Sequence, residues 1–430
     1  MSDTAAKLSN TAGKHKPAWG STEPAPPTLR QFGLSCLALG STAFGGGAMI
    51  ALLKDAFVRR RGWLRDADFL EAVTLAQSLP GAIATNTVAF VGYRLHGPAG
   101  ASLGMALYAL PSFTLMLMLA ALYERIREIP SATAVFTGLN AAAAGLVAVT
   151  AIQLGRQAVT THGQRLQAVV VFGSAVLFPS LTLYLILLSL LGGLLMLRQS
   201  CQRHPTAPTD LAEAPSATWT GATYALLALA SGGVVAGIWV VGHYVTESSL
   251  QRAAQLALVT LKVGGLTFGG GFVIIPLLGH EVVDVHGWLT PKEVADAAAL
   301  GLLTPGPFVI AATFIGYRVA GLLGAGAATL GIFGLPLLLV IGVSGAVERF
   351  RQNPWAQGAL QGVMPTGIAL LAAAAVTIGK GAYGQALHTW LLAPWLGILS
   401  AWLAGRYHVN PVFILFGGAL LGLAGGWLWP

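Results

Sequence analysis

Residues 100–123 read "GASLGMALYALPSFTLMLMLAALY", without a charged side chain. About 20 such residues suffice for a helix to cross a bilayer. Residues 223–242, "TYALLALASGGVVAGIWVVG", form a second window of this kind. Water-soluble chains carry about a quarter charged residues, whereas here the charged fraction is 9%, the hydrophobic fraction 55% and the mean hydropathy +0.70. These values predict an all-α polytopic membrane protein, with the lipid bilayer as its first partner. The formal net charge is +8. Its Lys and Arg residues stand in short clusters beside apolar segments, the bias that sets membrane orientation, so no nucleic-acid partner is expected. Cys36 and Cys201 lie far apart and suggest neither a disulfide framework nor a metal site.

The chain repeats itself. "LGSTAFGGGAMIALL" returns as "VGGLTFGGGFVIIPL", "RGWL" as "HGWL", "LPGAIATNTVAFVGYR" as "TPGPFVIAATFIGYR", and Glu124-Arg125 as Glu348-Arg349, in register at an offset of about 224 residues. The expected organisation is a disordered cytoplasmic tail over 1–29 and a first transporter repeat over 30–197. A polar linker over 198–220, a connecting transmembrane helix over 221–244 and a second repeat over 245–430 follow. The connecting helix has no counterpart in the first half and would flip the second copy. The loop "KDAFVRRRGWLRD" is strongly basic while its equivalent "GHEVVDVHGWLTPKE" is net acidic. By the positive-inside bias the two halves are inverted, the first loop being cytoplasmic. A re-entrant hairpin with its tip at the first glycine block keeps the basic flanks on one side, because irregular backbone at membrane depth is tolerated where protein or a water-filled cavity covers it. Single-span arrangements remain open.

Gly- and Pro-broken apolar segments at matching positions of inverted repeats point to a transporter's site. Each half has two breaks: Gly45, Gly46 and Gly47 with Pro80 and Gly81, then Gly269, Gly270 and Gly271 with Pro305 and Gly306. A helix that restarts after such a break has Pro in its first turn and turns free N–H groups toward the membrane interior, an anion-binding geometry. Asn86 and Thr304 offer hydrogen bonds nearby, with Gln77 and Thr85 beside them, and Lys262 can neutralise an anion. These groups are the substrate-binding candidates. Packing glycines and proline kinks are the ordinary alternative for any one break. For coupling or gating the candidates are Glu71, Arg94, Glu124, Asp296, Arg318 and Glu348, with Asp68 and Glu293 as further carboxylates. The chain lacks GxxxxGK[ST] and HExxH, and its one GxSxG match, Gly100 to Gly104, falls inside the uncharged apolar window over 100–123. A Walker-type ATPase and an intramembrane hydrolase are therefore disfavoured, and no catalytic residue, metal or cofactor is expected.

Phe44-Gly45-Gly46-Gly47, then Gly62-Trp63-Leu64, Leu79-Pro80-Gly81-Ala82 with Asn86 and Gly92-Tyr93-Arg94, all duplicated, resemble the chromate ion transporter family in its long two-domain form. The likeness runs from about residue 30 to the C-terminus. It implies a multi-pass bacterial inner-membrane protein whose halves face opposite ways and which exports chromate by secondary transport, energised by membrane potential or a proton gradient. Carried over are Phe44 to Gly47, Trp63, Pro80, Gly81, Asn86, Gly92, Tyr93 and Arg94, with Phe268 to Gly271, Trp288, Pro305 to Pro307, Gly316, Tyr317 and Arg318. The family pattern is commonly Pro-Gly-Pro, and here the first half reads Pro80-Gly81-Ala82. The expected partners are chromate or a sulfate-like oxyanion and protons, with a homodimer among the open assemblies. The alternatives are transport of sulfate or another oxyanion, including uptake, and a non-transporting scaffold or sensor.

Overall fold

The computed structural model describes residues 27–44, 46–200, 232, 235–240, 242, 248–268, 271, 273–345, 354–382, 387–407 and 409–428. Gly45, Gly269, Gly270, Glu348, residues 1–26, the linker from 201 and most of 221–244 lie outside them. The described residues are helical or in turns and contain no strand, as composition required.

α1 (Leu29–Thr42) begins at a capping box, in which the Thr28 hydroxyl accepts from the Gln31 N–H and the Gln31 side chain accepts from the Thr28 N–H. α2 (Gly46–Lys54) runs on through one wide turn, Asp55–Arg60. Phe32, early in α1, lies 5.9 Å from Phe57 and 6.4 Å from Trp63, both beyond the end of α2. The two helices therefore form a hairpin that turns between Ala43 and Gly46. α3 (Asp66–Ser78) and the first limb of α4 (Ile83–Ile126) form a second hairpin, with its tip at Leu79–Ala82 and its open end closed by Arg94 on Asp68 at 2.8 Å.

α4 is two helices joined at a fold-back. His96 and Gly97 leave helical geometry, with Gly97 at φ 64°, ψ −154°, a region open to glycine. The chain reverses there: Gly92 meets the Gly100 carbonyl, and Gly104 lies against Val88. The limb over 98–126, about 40 Å long at 1.5 Å per residue, then runs away from the hairpin openings.

The second half repeats this path. α8 (Ser248–Leu266), the non-helical residues Thr267, Phe268 and Gly271, α9 (Ile274–Gly279) with a wide turn His280–Val285, and α10 (Pro291–Leu303) precede α11 (Ala311–Ser344). α11 folds back at Ala320 and Gly321, the latter at φ 61°, and the Thr313 and Thr329 hydroxyls meet at 2.7 Å across the reversal.

Contacts between the halves give their relative direction. Glu124, at the end of the long limb of α4, bonds Arg318 at the fold-back of α11 at 2.8 Å. That limb thus leaves from the face where the first-half hairpins open and arrives at the face where the second-half hairpins open. The halves are inverted, as the loop charges predicted. The remaining helices are α5 (Pro130–Ala158), α6 (His162–Leu177), α7 (Thr182–Ser200), α12 (Pro354–Gly381), α13 (Leu387–Tyr407) and α14 (Pro411–Leu428). α5 lies against α12, α13 and α14 of the other half, and Gly138 and Gly145 let the backbones of Gly418 and Gly397 come into contact. Among the described residues, Ile83–Ile126, Pro130–Ala158, Phe308–Ser344 and Gly362–Gly381 are long and apolar enough to cross a membrane.

Candidate functional site

The tips of the hairpins meet. Gly81 N–H donates to the Thr267 carbonyl at 2.7 Å, and Gly306 N–H donates to the Ala43 carbonyl at 2.7 Å. Each Pro-Gly break therefore holds the backbone just ahead of the other half's glycine block. The packing around the breaks is paired in the same way. A side-chain carbon added at Gly81 would sit 2.9 Å from Pro336 Cβ, and one at Gly306 would strike the Ser112 hydroxyl, Ser112 and Pro336 being equivalent positions. Gly81 has φ +110° and Gly306 φ +101°, so both close approach and backbone sign require glycine. The Ser112 hydroxyl donates to the Pro305 carbonyl, a further bond across the halves.

Beyond the Gly81 break, α4 starts at Ile83 with Ala82 as its cap residue and no side-chain cap. Its first-turn N–H groups are the unsatisfied end of a helix dipole. Pro80 stands ahead of the cap residue rather than in the first turn, and Pro307 likewise caps a short 3-10 turn, Phe308–Ile310. The expectation of Pro in the first turn is corrected accordingly. The left-handed glycine between Pro80 and Ala82 needs residues of its own before helical geometry can resume. The Gly81 and Gly306 N–H groups are occupied by carbonyls, so donors for an anion must come from the turn that follows. The Asn86 amide donates to the Pro80 carbonyl at 2.9 Å and bridges the break, while its Oδ1 and the Thr85 hydroxyl are buried without a partner. Gly271, at φ +94°, faces Val309 of its own half and Ala82 of the other, so the second glycine block adjoins the first Pro-Gly break. Gly46 and Gly47 open α2, and the Thr304 hydroxyl bonds back to Gly301 at 3.1 Å.

The described coupling candidates gather at the hairpin mouths. Arg94 bonds Asp68 at 2.8 Å and Glu71 at 3.2 Å, and Arg65 grips Asp68 with two bonds of 2.9 Å. On the opposite face Arg318 bonds Glu293 and Glu124, each at 2.8 Å, and Arg127 reaches Glu293 at 3.2 Å. Asp296, fully buried, accepts from Tyr123 at 2.7 Å, Asn140 at 2.6 Å and Lys292 at 2.8 Å. Asp68 and Glu293 sit at the outer ends of α3 and α10, outside the helices long enough to span a membrane. Burial works against the Asp68 charge, but the Arg65 bonds and the Arg94 charge outweigh it and hold its pKa below the ordinary value. Glu293 is also held low: burial opposes, while bonds from the Thr290 backbone and from Arg318 prevail.

Lys262 stands apart from the tips, with its ammonium on Glu281 and its side chain partly exposed. Glu124 pairs with Arg318 across the halves rather than with its chain neighbour Arg125. Ser112, Tyr123, Arg127, Asn140 and Lys292 escaped sequence reasoning. Asn140 was visible in principle, as an amide inside the Ala-rich run "TGLNAAAAGL".

The description "Chromate transporter" belongs to the family that matches residues 30–197 and 254–423. The chromate transport protein of Cupriavidus metallidurans is 30% identical over 419 residues, 94% of this chain and 96% of that protein. A probable chromate transport protein of Synechococcus elongatus is 29% identical over 393 residues, 90% and 93% of the two chains. An uncharacterized transporter of Methanocaldococcus jannaschii is 28% identical over 356 residues, 82% and 84%. No solved structure matches significantly. With both inverted halves matched and the likeness running nearly end to end, the chain belongs to the chromate transporter family.

Proposed function

We propose that this protein is a secondary active transporter that exports chromate across the bacterial inner membrane by alternating access. The observation that carries the reading is the reciprocal pair of bonds between tips, Gly81 to Thr267 and Gly306 to Ala43. Hairpins from opposite faces meet at one place, and the uncapped first turn of α4 ends there. Backbone N–H groups at a helix start suit an anion at membrane depth. Gly46, Gly47, Pro80, Gly81, Asn86, Gly271, Thr304, Pro305 and Gly306 surround or shape that place in this reading. Gly45, Gly269 and Gly270 complete the glycine blocks in sequence. Lys262, paired with Glu281, contributes at most from a distance.

Rocking of one half against the other exposes the site to each side in turn. Arg94 with Asp68 and Glu71 closes one mouth, and Arg318 with Glu124 and Glu293 closes the other. The basic loop at Arg59 to Arg65 supports a cytoplasmic first mouth in this reading. Relatives named as chromate transport proteins support the choice of ion.

The test is uptake of labelled chromate by proteoliposomes, with and without a pH gradient and with excess sulfate. Gradient-stimulated chromate flux is expected. Flux of sulfate without chromate would redirect the reading to another oxyanion, and no ion flux would leave a scaffold or sensor.

A further inference from the structure

Two of the three donors on Asp296 are neutral and come from the other half of the molecule: the Tyr123 hydroxyl on Oδ2 and the Asn140 amide on Oδ1. The third, Lys292, stands one turn earlier on the same helix. Asn140 Oδ1 is itself buried and has no hydrogen-bond partner. This arrangement suits a group that changes charge. As a carboxylate, Asp296 receives three donors. As an acid it needs one acceptor for its O–H, and turning the Asn140 amide over would bring Oδ1 to the place its nitrogen now holds. A single amide rotation would serve both states.

The sequence repeat does not duplicate these donors. The positions equivalent to Tyr123, Asn140 and Lys292 are Val347, Met364 and Ala67, and the counterpart of Asp296 is Glu71, which bonds Arg94. Among the described residues, Asp296 is the carboxylate seen clasped by neutral donors from the other half. Opening its face would take Tyr123 and Asn140 from Asp296, two of the three donors that favour its carboxylate, and leave Lys292, so the open state would hold a proton more readily than the closed clasp.

We propose that Asp296 takes up and releases the proton that couples transport, its carboxylate binding H⁺ from water on its own face while the Tyr123–Asp296–Asn140 clasp is open and releasing it to water on the opposite face once the clasp has closed and the other mouth has opened. This rests on the transport reading above. The other charged or titratable groups about Asp296 are Lys292 and Glu293 on α10, Tyr123, Glu124, Arg125 and Arg127 at the end of α4, Arg318 on α11 and Lys380 at the end of α12. α5 carries only Arg156, at its far end, and α9 and α14 carry no charged residue. Arg318 and Arg127 are engaged by Glu293 and Glu124, so Lys292 is the cation bonded to Asp296.

Full-length protein in liposomes with a trapped pH-sensitive dye provides the test. Wild type is expected to accumulate chromate down an imposed pH gradient and to move protons as it does so. Asp296→Asn is expected to lose that accumulation roughly tenfold or more, yet to keep chromate-for-chromate exchange without a gradient. Tyr123→Phe keeps the ring and removes one donor to the ionised form, so the pH of half-maximal flux should move upward. Gradient-driven accumulation by Asp296→Asn at the wild-type level overturns the proposal. An unshifted pH profile in Tyr123→Phe does the same, and it decides the matter should Asp296→Asn not fold. Wild-type chromate flux with either negative result removes this inference alone, whereas absence of wild-type flux removes the transport reading with it.

Discussion

Gly97 and Gly321 allow backbone strain to be measured in isolation. Both have positive φ, and a side-chain carbon at either would meet nothing within 4 Å. Alanine there should cost about 1–3 kcal/mol from strain alone, similar at the two equivalent sites, as read from thermal unfolding in detergent. Gly306→Ala should cost more, since it also strikes Ser112. Charge offers a second test at this scale. Asp68 and Glu293 have pKa values below ordinary, so their stabilisation is complete above the unfolded carboxylate range near pH 4 and is lost as pH falls through the lower folded values. Melting temperature should drop over that acid window, and Asp68→Asn should flatten the drop. The breaks and the paired glycines were legible in the sequence because a matched repeat makes them conspicuous. Tyr123 and Asn140 did not stand out in the same way, because comparison of repeats highlights what recurs, and these two stand opposite Val347 and Met364; Asn140 was open only to a reading of its own apolar run.

Among the helices, the described arginines at the two mouths differ in burial. Arg94 bridges α3 and α4 of its own half and is about a quarter exposed, with a side-chain accessibility of 26%, whereas Arg318 is 9% exposed and joins Glu293 to Glu124 of the other half. Removing one partner of a buried pair leaves an uncompensated charge. Arg318→Ala should therefore lose roughly 3 kcal/mol in detergent unfolding, and Arg94→Ala clearly less. The glycine block with a basic tail and a basic loop favoured the α1–α2 hairpin over a single span, and the aromatic contacts of Phe32 with Phe57 and Trp63 agree with the hairpin. The wide turn at Asp55–Arg60 and the reversal at His96–Gly97 gave no equally clear signal, because a Gly-Pro pair inside an apolar run also fits an ordinary kink. Proline position was misjudged for a local reason: the left-handed glycine delays the helix start by two residues.

The whole molecule is organised by one relation, inversion, which the sequence conveyed through loop charge and the structure through the Glu124–Arg318 bond. In a cysteine-free background, Arg61→Cys and Val285→Cys should react with an impermeant thiol reagent from opposite sides of sealed vesicles. Reaction of both from the same side would contradict inversion. The most direct test of the central claim concerns the meeting point of the tips. Ala82 adjoins Gly271 there and begins the uncapped turn of α4. In the same background, chromate should slow thiol labelling of Ala82→Cys in a concentration-dependent way and leave labelling of Lys54→Cys unchanged. Chromate flux through Ala82→Cys protein with a labelling rate indifferent to chromate would contradict the account.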